Sequence, residues 1–123
     1  MSHIVTIRTE VRDREAVRRA CRRLELSDPV EGEAKVFTTR KKGLLVQLKD
    51  WEFPLIVDLE TGKVEYDNYE GHWGGIDRLM TFLQIYCVER ATIEARKRGY
   101  SVVEQPLDDG SIKLSIGVSG EVR

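Results

Sequence analysis

Apolar and polar residues alternate along two stretches of the chain that flank a short glycine-containing turn. Pro54-Leu-Ile-Val-Asp-Leu59 precedes Glu60-Thr61-Gly62, and Lys63-Val-Glu-Tyr-Asp67 follows it. Two turn residues, Thr61 and Gly62, between alternating runs predict a tight β-hairpin. That reading pairs Leu59 with Val64, Asp58 with Glu65 and Val57 with Tyr66. Leu55, Val57, Leu59, Val64 and Tyr66 then form an apolar face, and Asp58, Glu60, Glu65 and Asp67 an acidic one. Asp58 and Glu65, opposed across the strands, would repel each other.

The other elements follow from the same patterning. Residues 3–9 read as a first strand. Asp13 is an N-cap candidate for a helix to about Leu24, with Glu15 in its first turn. Val17, Ala20, Cys21 and Leu24 form one stripe of that helix, and Arg14, Arg18, Arg19, Arg22 and Arg23 fill the remainder. Ser27-Asp28-Pro29 and Glu31-Gly32-Glu33 read as a loop. Lys35–Thr39 and Leu44–Leu48 read as a hairpin around Arg40-Lys41-Lys42-Gly43. Gly74-Gly75 admits a long helix from about Ile76 to Arg98, closed by Gly99. Its first half is apolar nearly all round, which predicts burial on more than one side. Ser101–Gln105 and Ser111–Val118 read as the last two strands.

The order β-α-β-β-β-β-α-β-β describes an α+β, two-layer sandwich. The sheet is mainly antiparallel, and two helices pack on one of its faces. The opposite face stays uncovered by helices and carries the acidic residues.

Composition sharpens this picture. The 123 residues suit one domain, 1–123, large enough to bury a core without staples. No run approaches the roughly 18 apolar residues of a membrane span. Met1-Ser2-His3 leads into Ile-Val-Thr-Ile and shows no secretory apolar block. Cys21 and Cys87 both fall on apolar helix stripes, which suggests reduced, buried thiols in a cytoplasmic protein.

The net charge of −1 hides a segregation. Residues 1–43 hold eleven Lys/Arg against seven Asp/Glu, residues 44–75 hold two against seven, and residues 76–123 hold seven of each. Separated poles in a near-neutral chain imply patches for particular partners, not a general affinity for polyanions.

Several phrases occur together: Met1-Ser2-His3, Ile56-Val57-Asp58-Leu59, Trp73 before the long helix, and Gln84-Ile85-Tyr86 within it. Gly99-Tyr-Ser-Val-Val-Glu-Gln105 and Asp109-Gly-Ser-Ile112 complete the set. In this order they resemble a small family of unknown function. That family includes a conserved open reading frame of red-algal plastid genomes and its cyanobacterial and bacterial relatives. The resemblance spans essentially the whole chain, strongest from Leu55 to Ile112 and weakest from about Asp28 to Lys49. It implies a single compact domain, and it names no activity or cofactor. Bacterial relatives often sit beside genes for AAA-type ATPases, which implies an accessory role.

Three constellations could carry chemistry. Asp58, Glu65 and Asp67, with Tyr69, His72 and Trp73 of the following loop, could dock a basic partner surface; the plain alternative is a solvated face. The subset Asp58, Asp67 and His72 could offer ligands to a metal-assisted enzyme, although no strong metal-binding spacing is present. Arg14, Arg18 and Arg22 could bind an anionic ligand or nucleic acid. The slightly acidic balance and the lack of an aromatic on that helix argue against nucleic acid.

No nucleophile–base–orienter trio can be assembled, so catalysis is not expected, and neither is a cofactor. Gln84, crowded on the long helix, should find backbone partners nearby. The expectation is a small accessory or adaptor protein that binds another protein, an AAA-type ATPase being the partner the resemblance implies. A second copy of the chain could equally close the uncovered sheet face.

Overall fold

The computed structural model describes residues 5–7, 9–36 and 39–118. The strands are β1 (Val5–Ile7), β2 (Val30–Val36), β3 (Thr39–Val46), β4 (Leu55–Asp58), β5 (Lys63–Tyr66), β6 (Tyr100–Pro106) and β7 (Ile112–Val118). The helices are α1 (Arg14–Arg23), after β1, and α2 (Ile76–Lys97), after β5. This is the expected α+β order. The first five strands form one antiparallel sheet in the order β1-β5-β4-β3-β2, while β6 and β7 pair only with each other.

Each helix begins and ends for local reasons. Asp13 caps α1, its carboxylate accepting the Ala16 N–H at 3.1 Å. At the other end the Leu26 N–H returns to the Cys21 carbonyl and the Glu25 N–H to that of Arg22. This reversal puts Glu25 at φ 59°. Gly99 holds the equivalent place after α2, at φ 79°.

The core lies between the helices and one sheet face. Val17, Ala20 and Cys21 of α1 and Leu79, Phe82 and Tyr86 of α2 pack with Leu44, Val46, Leu55, Val57 and Val64. The Tyr86 hydroxyl accepts the backbone N–H groups of Arg12 and Asp13, both at 3.1 Å, which fixes the entry to α1 against α2.

Two expected turns lie elsewhere. Arg40–Gly43 is part of β3 and Glu31–Glu33 part of β2, with Gly32 paired to Gly43. The polar outer ends of these strands run past the core, so no apolar alternation marks them as strands. The β4–β5 hairpin closes through four residues, with the Gly62 N–H on the Asp58 carbonyl at 2.7 Å. Its pairs are Asp58 with Lys63, Val57 with Val64 and Ile56 with Glu65, two residues away from the expected register. Asp58 and Glu65 therefore do not oppose each other.

Candidate functional site

The open face of the five-stranded sheet is mixed in character instead of acidic. Lys63 faces Asp58 across the hairpin, and Lys41 reaches from β3 to Glu65 on β5 at 3.4 Å. A row of apolar side chains, Val30, Leu45 and Ile56, crosses the same face on paired positions. Asp58 is exposed and serves its own turn. Hydrogen bonds from the Thr61 hydroxyl and from the Glu60 N–H, the latter at 3.0 Å, hold its carboxyl below the usual range.

Asp67 does not lie on the surface: it is 0% exposed. Its Oδ1 accepts the Tyr69 N–H at 3.1 Å, while Oδ2 has no partner among the described residues. Burial removes it from any partner-facing set and makes it a brace for the loop that follows. Asp58 and Asp67 sit at opposite ends of the hairpin, with all of β5 between them, about 13 Å of strand. The expected metal trio of Asp58, Asp67 and His72 is thus dispersed. Among the described residues, no group of three or more His, Cys, Asp or Glu side chains could hold a metal ion.

The structure brings Tyr69, His72 and Trp73 together, and it adds Phe53, which sequence reasoning missed. Ring centroids are 4.8 Å apart for Tyr69 and Trp73, 5.0 Å for Tyr69 and His72, and 5.2 Å for Phe53 and Trp73. The signal for Phe53 was available: Trp51-Glu52-Phe53-Pro54 is a dense aromatic cluster immediately before a strand. Tyr69, Glu70 and His72 are exposed, while Phe53 and Trp73 are half-buried.

The base beneath this aromatic knob is rigid. Trp51 is buried edge-on to Tyr66, and its indole N–H donates to the Gly75 carbonyl at 3.0 Å. The Glu52 N–H donates to the Trp73 carbonyl at 2.8 Å, joining the two aromatic segments. Asn68, also buried, accepts the Gly71 and Trp73 N–H groups on its carbonyl and donates from Nδ2 to the Gly74 carbonyl. At the tip the backbone turns left-handed over three residues: Tyr69 at φ 46°, Glu70 at 53° and Gly71 at 98°. For non-glycine residues this conformation costs about 1–2 kcal/mol each. Such strain persists where the surroundings over-determine it, as they do here.

Carboxylates adjoin the aromatic residues in sequence. Glu52, Glu70 and Asp77 are exposed and make no ion pair among the described residues, whereas Asp50 is bound by Arg78 at 3.5 Å. Of the acidic residues in 44–75, Glu52 and Glu70 adjoin the aromatic residues in sequence, Asp58 and Glu60 lie at the far end of the hairpin, and Glu65 is paired with Lys41.

The arginines of α1 are occupied. Arg14 pairs with Glu31 at 2.6 Å, Arg18 and Arg19 with Glu15, Arg22 with Asp28 at 3.4 Å, and Arg23 with Glu89 and Glu104. The two guanidinium groups at Glu15 hold its carboxyl down at about 2. Arg14, Arg18 and Arg22 therefore form a neutralised helix face instead of an open anion site. Gln84 meets its expectation, donating to the Gly110 carbonyl at 3.0 Å. No helix among the described residues is long and apolar enough to cross a membrane. No protein-family model matches this chain, and neither does any curated protein or solved structure.

Proposed function

We propose that this protein is a small accessory or adaptor module that docks another protein through the aromatic knob. One observation carries the reading: the rings of Tyr69, His72 and Trp73 gather on one loop, Tyr69 and His72 exposed and Trp73 half-buried, beside the exposed Glu70, and the loop is braced by Trp51, Asp67 and Asn68. Exposed aromatics on a rigid base lose little conformational freedom on binding and are typical anchors of protein interfaces. A carboxylate beside them selects a partner whose pocket is rimmed by Lys or Arg and speeds the encounter.

The family resemblance makes an AAA-type ATPase the first partner to test. The test is affinity purification of tagged protein from its native cell, read by mass spectrometry, beside a Tyr69→Ser/Glu70→Lys variant. The partner should be recovered with the wild type and lost with the variant, whose melting temperature stays close to the wild-type value. Equal recovery from both proteins would remove the knob as the contact.

A further inference from the structure

The first half of α2 is apolar nearly all round, and the fold covers only part of it. Leu79, Phe82, Ile85, Tyr86 and Val88 are buried, as expected. Leu83 is half-buried, and Cys87, expected inside, is exposed. Leu83 and Cys87 lie one turn apart, and between them and the segment Thr9–Val11 is a cavity of about 410 Å³. Val11, Leu83, the ring of Tyr86, Cys87 and Ala91 wall it. That volume and that lining are those of a site for a small molecule.

The walls are held from within the protein. The Tyr86 hydroxyl accepts the Arg12 and Asp13 N–H groups and donates to the Glu10 carbonyl at 3.4 Å, while the Thr9 hydroxyl donates to the Gly62 carbonyl. The acids of the rim are paired as well, Glu10 with Arg12 at 2.7 Å and Glu94 with Lys97 at 3.6 Å. Arg90 is the exception. It is exposed on the same rim and makes no hydrogen bond or ion pair among the described residues. Arg90 also lines the adjoining polar hollow, where Asp13 caps α1, Arg14 holds Glu31, and Glu15 holds Arg18 and Arg19. Its guanidinium thus stands where apolar walls give way to polar ones, and it is the one charged group of either lining without a partner among the described residues.

We infer that this cavity binds a monocarboxylic acid with an apolar body, the body against Val11, Leu83 and Ala91 and the carboxylate on Arg90. Apolar walls favour hydrocarbon that leaves water. The planar fork of a guanidinium matches a carboxylate through two parallel hydrogen bonds. Glu10 and Glu94 on the rim select against a more highly charged head. Each repels a phosphate dianion twice as strongly as a monoanion, and a single free cation answers it. At roughly 30 Å³ for each water-sized group the cavity holds about a dozen non-hydrogen atoms, so an acid of about eight carbons fits with its carboxylate at the mouth. None of these residues belongs to the aromatic knob, so the site is separate from the docking surface proposed above.

Titration calorimetry with sodium octanoate, run beside the kinetics of a disulfide reagent at Cys87, tests the inference. Octanoate should bind once per chain, with a dissociation constant on the order of 100 μM. Bound octanoate should also shield the Cys87 thiol and slow its reaction. Octan-1-ol and octyl phosphate should each bind on the order of tenfold more weakly than octanoate. Arg90→Gln, a change at an exposed position, should weaken octanoate by a similar factor, leave octan-1-ol unchanged and keep the melting temperature. Ala91→Leu, which fills the cavity, should abolish binding of acid and alcohol alike. No heat and no shielding at millimolar octanoate would overturn the site. Wild-type affinity in Arg90→Gln, or an alcohol or phosphate that binds as tightly as the acid, would overturn the assigned head group. Shielding of Cys87 that rises with protein concentration and without any acid would place another chain in the cavity and overturn the inference too.

Discussion

Arg23 at the end of α1 grips Glu104 on β6 with both terminal nitrogens, at 3.0 and 2.6 Å, and shares one of them with Glu89 of α2 at 3.0 Å. One guanidinium thus ties three elements, α1, α2 and β6. Glu89 is the better shielded partner, at 16% side-chain exposure against 31% for Glu104. The Arg23 hydrogen bond draws the Glu104 carboxyl below its ordinary range. A carboxyl lowered in the folded state stabilises the fold above its unfolded value of about 4.3 and ceases to do so as pH falls through the folded value. Glu104→Gln should cost about 1 kcal/mol at pH 7. Urea titrations should show the gap to wild type closing as the solution is acidified below about pH 4.

The two helix ends offer a controlled comparison. Both reverse through a left-handed residue, but α2 uses Gly99 and α1 uses Glu25. The Glu25 side chain makes no ion pair among the described residues, so replacing it removes strain and little else. Glu25→Gly should stabilise the protein by up to about 1 kcal/mol, the strain relieved less the entropy that glycine adds to the unfolded chain. Thermal melts would check this, and a loss of stability would mean that the acidic side chain contributes there.

Gly74 has a different reason to be glycine. A Cβ at this position would fall 2.5 Å from the Trp51 ring. Gly74→Ala should destabilise the protein by roughly 1–3 kcal/mol through overpacking. It should also shift the tryptophan fluorescence, because the ring must move or give up its bond to the Gly75 carbonyl.

The two thiols should behave as opposites. Burial pushes the Cys21 thiol up to about 11, whereas Cys87 stands in the open. In dilute native protein, titration with a disulfide reagent near pH 8 should consume one equivalent quickly. The second should react only after denaturant is added. Two fast equivalents would place Cys21 nearer the surface than its packing against α2 and the sheet allows.

The elements were legible in the sequence because periodicity, caps and glycines agreed: Asp13 caps α1, Gly99 ends α2, and Leu55, Val57, Val64 and Tyr66 face inward. The register of the β4–β5 hairpin was not. A slip of two residues leaves every side chain on its original face, so alternation cannot distinguish Asp58–Glu65 from Asp58–Lys63. Asp67 was misread for a similar reason. Alternation sends it away from the core, and its burial depends on how the following loop folds back through the Tyr69 N–H. Cys87 shows the same limit on a helix: a cylinder apolar on all sides does not say which arc the fold leaves bare. Of the candidate site, Tyr69, His72 and Trp73 were visible as a loop beside glycines. Phe53 joins them only through tertiary contact.

The separation of β6 and β7 from the main sheet has a mechanical consequence. An isolated pair of strands is marginal in water, so this pair depends on its seat against α2 and on the grip of Arg23. It should open as a unit while the five-stranded sheet stays shut. Deuterium should enter the amides of residues 100–118 well before those of β4 and β5. Acid, by loosening that grip, should widen the interval, so that the last ribbon of the chain behaves as a flap hinged at Gly99.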